Sequence, residues 1–162
     1  MYRHFSSKDE LFEAAVSTPL EEAVTALLGA SGGPPEEFDT SGVGMRERTR
    51  LFMVDLVRAM EQISEMLGVA LFRETSLASA YYRERIAPNL ATIESVVQAN
   101  LEHWNHSDFD PRLAVNLAFG SAWFHVTTAK FEGRPIDAER FAERLVDVMF
   151  DGLFRGAGPI LD

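Results

Sequence analysis

Four histidines, His4, His103, His106 and His125, offer the most versatile chemistry in this chain. A neutral imidazole binds metals and exchanges protons near neutral pH. His103 and His106 stand three positions apart, with Asp108 close by. A metal site inside a helical bundle needs more, namely carboxylate–histidine pairs repeated on facing helices. No such repeat occurs, and Trp104-Asn105-His106-Ser107-Asp108 reads as an exposed turn where a long helix ends. No metal is expected. The serines are not tied to a histidine by any spacing or by a GxSxG elbow. GxxxxGK[ST] and HExxH are also missing. The chain has no cysteine, which removes disulfides, thiolate ligands and a cysteine nucleophile. The residues therefore point away from an enzyme, and no cofactor is expected.

Rings and thioethers suggest binding instead. Phe52, Met60, Met66, Phe72, Tyr81, Tyr82, Trp104, Trp123, Phe124 and His125 supply large side chains with a few polar tips. Small-molecule sites are mostly apolar with few polar anchors, and methionine adapts to varied shapes. The expectation is a cavity of about a few hundred Å³ lined by Phe52, Leu56, Met60, Phe72, Tyr82, Ile86 and Trp123. His125 or a tyrosine hydroxyl would orient a polar group on the ligand. The same side chains at helical spacing also build an ordinary core, and both readings stay open here.

The elements that must hold these residues are all helices. At 162 residues and 46% apolar content the chain is one globular domain. Six helices are expected. The first runs from Lys8 to about Leu28, followed by a loop from Gly29 to Gly44 rich in glycine, serine and proline. The second spans Met45 to about Glu61 and the third Ile63 to about Glu74. The fourth runs from about Ser79 to Trp104, on the stripe Ile86, Leu90, Ile93, Val97, Leu101 and Trp104. Pro88 predicts a bend or restart inside it. The fifth begins at Asp110-Pro111, with Asp110 as cap, and runs to about Phe131 before Gly133. The sixth is capped by Asp137, with Ile136 and Phe141 as a hydrophobic staple, and runs to about Phe154. No run of 18 apolar residues could span a membrane, and the N-terminus lacks a signal-peptide core. A cytoplasmic protein is expected.

The helix from Pro111 is apolar nearly all round, so it needs cover on every side. An edge helix rarely finds that much cover within so short a chain. The expectation is a homodimer whose last two helices form a four-helix bundle. Its seam would hold Leu117, Gly120, Ser121, Phe124, Leu145, Val148, Met149 and Gly152. The charged stripe Arg140, Glu143, Arg144, Asp147 and Asp151 would face elsewhere. The alternative is that both helices are plain core.

The opening residues say most about function. Ser7-x-x-Glu10 is a capping box, and Leu11, Phe12 and Ala15 start an apolar face. Tyr2-Arg3-His4-Phe5-Ser6-Ser7-Lys8-Asp9-Glu10-Leu11 closely resembles a signature of the TetR family of bacterial transcriptional regulators. There this pattern closes the recognition helix of a helix-turn-helix. The Asp-Pro start, the apolar helix, the Gly133-Arg134-Pro135-Ile136-Asp137 turn and the Leu145-Val146-Asp147 ending extend the likeness.

The resemblance implies a six-helix, TetR-like C-terminal domain. Residues 1–7 would be the remnant of the recognition helix, and 8–162 the ligand-binding and dimerisation domain. It also implies that Tyr2, His4 and Lys8 hold DNA phosphates, and that a small apolar or amphipathic effector regulates the protein. DNA would be a partner only of an intact protein carrying the full helix-turn-helix. The net charge of −10 repels a phosphate backbone, so this chain alone should bind DNA poorly. The rival expectation is a helical carrier or enzyme in which the opening motif is coincidental.

Overall fold

The computed structural model describes residues 42–72, 74–101 and 109–152, with Ser7, Glu10, Leu11, Ala14 and Thr18 as single positions before them. The described elements are all helices, without a strand among the described residues. We number the helices α1 (Gly42–Leu71), α2 (Thr75–Tyr81), α3 (Ala87–Ala99), α4 (Pro111–Glu132) and α5 (Ala138–Asp151). A wide turn, Tyr82–Ile86, joins α2 to α3.

α1 is 30 residues, about 45 Å of continuous helix. It replaces the two helices expected as Met45–Glu61 and Ile63–Glu74. The reason is local: Ala59, Met60, Glu61, Gln62, Glu65, Met66 and Leu67 include strong helix formers and no proline. Its buried stripe also runs through the expected break, as Met53, Leu56, Val57, Met60, Ile63, Ser64 and Ala70.

Of the bend or restart expected at Pro88, the structure shows a restart of specific form. Pro88 has no N–H to give the carbonyl four residues back. The chain widens just before it, and the Ala87 N–H reaches back five residues to the Tyr82 carbonyl. The helix resumes to Ala99, short of the expected end at Trp104, which lies outside the described residues.

The cap readings that fall on described residues hold. Ser7 Oγ accepts from the Glu10 N–H at 3.1 Å. Asp110 Oδ1 accepts from the Arg112 N–H at 2.9 Å, and Asp137 Oδ1 from the Arg140 N–H at 3.0 Å. Gly133 closes α4 in the left-handed region, at φ 63°. The Gly133 N–H donates to the Lys130 carbonyl and the Arg134 N–H to the Ala129 carbonyl, a Schellman closure. α5 ends at Asp151, because Gly152 turns the chain at φ 75°. Gly152 is thus a stop signal, not part of a helical stripe reaching Phe154.

α1 is the spine of the packing. It runs antiparallel to α5, with Arg46 beside Asp147 and Asp151 and Arg58 beside Glu139. On another side it meets α4: Phe52 sits 6.4 Å from Phe119, and Lys130 Nζ donates to the Glu61 carbonyl at 2.8 Å. α3 packs on α4 as well. The core between them holds Met53, Leu56, Val57 and Met60 of α1, Ala118, Ala122 and Val126 of α4, and Ala142, Val146 and Phe150 of α5.

Candidate functional site

α4 is built inside out with respect to size. Its buried face is Val115, Ala118, Ala122, Val126 and Ala129. Such small side chains let α1 approach closely. Phe119 and Trp123 flank that face and pack against the core, while four other bulky residues point the other way: Leu113 is 66% exposed, Leu117 48%, Phe124 65% and Phe131 86%. They recur four or seven positions apart, with Gly120 exposed between Leu117 and Phe124, so they lie on one face. A Cβ built on Gly120 would meet nothing within 4 Å. Ser121 bonds its hydroxyl back to the Leu117 carbonyl.

α5 carries apolar residues as well. Val148 is exposed, while Phe141, Leu145 and Met149 are half-buried against the core. The two helices touch through rings, with His125 stacked on Phe141 at 4.2 Å between centroids and 23° between planes. His125 Nε2 is buried and has no hydrogen-bond partner among the described residues. Burial first, and the Arg134 charge second, hold the ring's pKa below the ordinary histidine value.

The opposite edge of α5 is charged, exposed and paired with α1. Arg46 forks onto Asp151, Nη1 to Oδ1 at 3.1 Å and Nη2 to Oδ2 at 2.9 Å, and also bonds Asp147. Its guanidinium lies over the Phe150 ring, 5.7 Å from the centroid. The bond from Arg46 holds the Asp151 carboxyl below the usual carboxylate range. Arg58 bonds Glu139 further along. Arg46, Arg50 and Arg58 on α1 thus run against Glu139, Glu143, Asp147 and Asp151 on α5, both sets at multiples of four. The sequence reading missed this ladder. Its signal was the two matching periods, but nothing local said that these helices would pair.

The expected ligand-lining residues divide. Leu56 and Met60 are buried in the core, and Phe52, Ile86 and Trp123 pack against it. Trp123 donates its Nε1–H to the Ser64 carbonyl at 3.1 Å, and its ring carries Phe72 at 5.9 Å. Phe72 is otherwise exposed, and Tyr82 faces solvent. His125 lies against α5, not among the middle helices. The Ser64 and Thr127 hydroxyls are buried without a hydrogen-bond partner among the described residues. Tyr2, His4, Lys8, His103, His106 and Asp108 fall outside the described residues. Among the described residues no three histidines or carboxylates are grouped to hold a metal ion. None of the described helices is long and apolar enough to cross a membrane.

Among the described residues the arrangement offers an exposed apolar face on α4. In comparisons with protein-family models, curated proteins and solved structures, nothing matches this chain.

Proposed function

We propose that this chain is the homodimerising, effector-responsive part of a TetR-like transcriptional regulator. The observation that carries the reading is the outer face of α4. A soluble helix that turns its alanines inward and Leu113, Leu117, Phe124 and Phe131 outward has a partner surface, not a solvent surface. A second copy supplies the same face, and two α4/α5 pairs make a symmetric four-helix bundle. The opening residues Tyr2 to Leu11 supply the link to DNA, through an intact protein with its full helix-turn-helix. The effector would be small and apolar or amphipathic, received among Phe52, Met60, Ile86 and Trp123. Its binding would shift the helix that begins near Lys8 and so change the spacing of two reading heads.

Sedimentation equilibrium tests the dimer: a monomer at micromolar concentration removes the central support. The in-frame coding sequence ahead of Met1 tests the regulator. About 40 basic, helix-turn-helix-like residues there support it, and a stop codon with no such stretch counts against it. A thermal-shift screen with small apolar molecules tests the effector, since a ligand of the native state raises the melting point by mass action. No rise with any of them at saturating concentration counts against this part. A carrier with no role at DNA is the second reading, favoured by the net charge of −10.

A further inference from the structure

His125 is placed where a proton would matter. It lies on the α4 turn next to Phe124, and its ring bridges α4 to α5. The bridge is a flat stack on Phe141, with Nε2 buried and unpartnered among the described residues. A neutral imidazole fits there. An imidazolium does not, because it would carry a charged N–H with no acceptor.

The neighbouring charges do not rescue it. The contact joins α4 to α5, and α1 packs on both helices. Arg134, after α4, is the group whose charge reaches the ring, and it is positive. Glu132 is bonded to Arg134. Asp137 caps α5 through the Arg140 N–H. Glu139 is bonded to Arg58 of α1, and Glu65 to Lys130. Glu61 forms no described ion pair with the ring, although its carbonyl accepts from Lys130. Attraction of an imidazolium to the Phe141 face works in the other direction. It does not supply the missing acceptor or cancel the like charge of Arg134.

We propose that His125 is an acid-sensitive latch between α4 and α5. Neutral, its ring lies on Phe141 and holds α5 to α4. Protonated, it leaves the stack, and the apolar face shared by the two helices loses its alignment. The opening of the stack stands on its own geometry, while its effect on a second copy rests on the dimer reading above. The sign follows from linkage. The folded state binds this proton less readily than the unfolded state. The contribution of His125 is therefore intact above the unfolded histidine value of about 6.5 and is lost as pH falls towards the lower folded value.

The test compares the full chain with His125→Phe, which keeps a ring on Phe141 but cannot titrate. Melting is followed at several pH values from about 7.5 to 5.5, spanning the histidine range. The wild type should lose more melting temperature across this range than the variant. Equal losses overturn the latch. If the variant fails to fold, the NMR titration of the His125 ring in the wild type decides. A midpoint below about 6.5 supports the latch, and one at or above it overturns the latch. Sedimentation at the same pH values separates the two proposals. A chain monomeric at the highest pH removes the dimer but leaves the melting comparison valid. A dimer that weakens on acidification in the wild type and not in the variant supports both.

Discussion

Trp123 joins two helices through one polar atom and one ring face. Its Nε1–H reaches the Ser64 carbonyl at 3.1 Å, while Phe72 stacks on the indole. Trp123→Phe keeps an aromatic ring there and deletes the donor. The expected cost is about 1 kcal/mol, the net worth of a typical hydrogen bond. It should appear as a lower urea midpoint at unchanged slope; an unchanged midpoint would show that the bond is replaced by water at no cost. Arg46 poses a different question, because its pairs with Asp147 and Asp151 are largely exposed. Exposed pairs are weak and screened by salt. Arg46→Ala should therefore lower the melting point at low salt, with the gap narrowing as salt rises. Arg46→Lys should recover only part of it, since an ammonium cannot fork onto Asp151 while lying over Phe150. A gap that does not respond to salt would assign the Arg46 effect to packing of its aliphatic stem.

The helix elements show where local chemistry speaks and where it stops. Pro88→Ala returns the missing N–H and lets the wide turn at Tyr82–Ile86 close to the regular register. The variant should be more stable, by less than the roughly 3 kcal/mol that a proline costs inside a regular helix, because the turn already absorbs much of the strain. Slowed amide exchange around residues 84–89 would be its signature, and unchanged exchange would locate the cause of the turn elsewhere. The turn itself was legible in the sequence, as were the caps at Ser7, Asp110, Gly133 and Asp137. Each of these depends on hydrogen bonds within a few residues. The continuity of α1 through Gln62 had a local signal in its helix formers and unbroken stripe, which the division into two helices overlooked; that both halves face one core shows in the contact with α4 and α5. Gly152 was read as a stripe position because a glycine can occupy a helix or end it, and its φ of 75° decides which. The Arg46 ladder was hidden for a further reason. Its partners are 101 and 105 residues apart in the chain, so no window of sequence contains both.

For the molecule as a whole, the outward face of α4 makes the sharpest demand. If the proposed dimer forms through this face, Phe124→Glu, which places a charge amid Leu117, Gly120 and Phe131, should leave a monomer or an aggregate in its place. Interfaces of obligate homodimers commonly exceed about 2,000 Å², so one buried charge at the centre is decisive. Sedimentation equilibrium reads the result directly, and an unchanged mass would move the seam off α4. The order of the chain has one more consequence. α1, the spine, ends at Leu71, and α4 and α5, which pack along it, lie in the last third of the sequence, from Pro111 onward. On the ribosome, synthesis proceeds at about 5–20 residues per second, so α1 emerges seconds before these two partners exist. Met53, Leu56, Val57 and Met60, fully or almost fully sheltered in the finished fold, spend that interval without α4 and α5 against them. A stalled or prematurely ended message would leave the stripe without those partners for good and make the shortened product a client of chaperones and proteases.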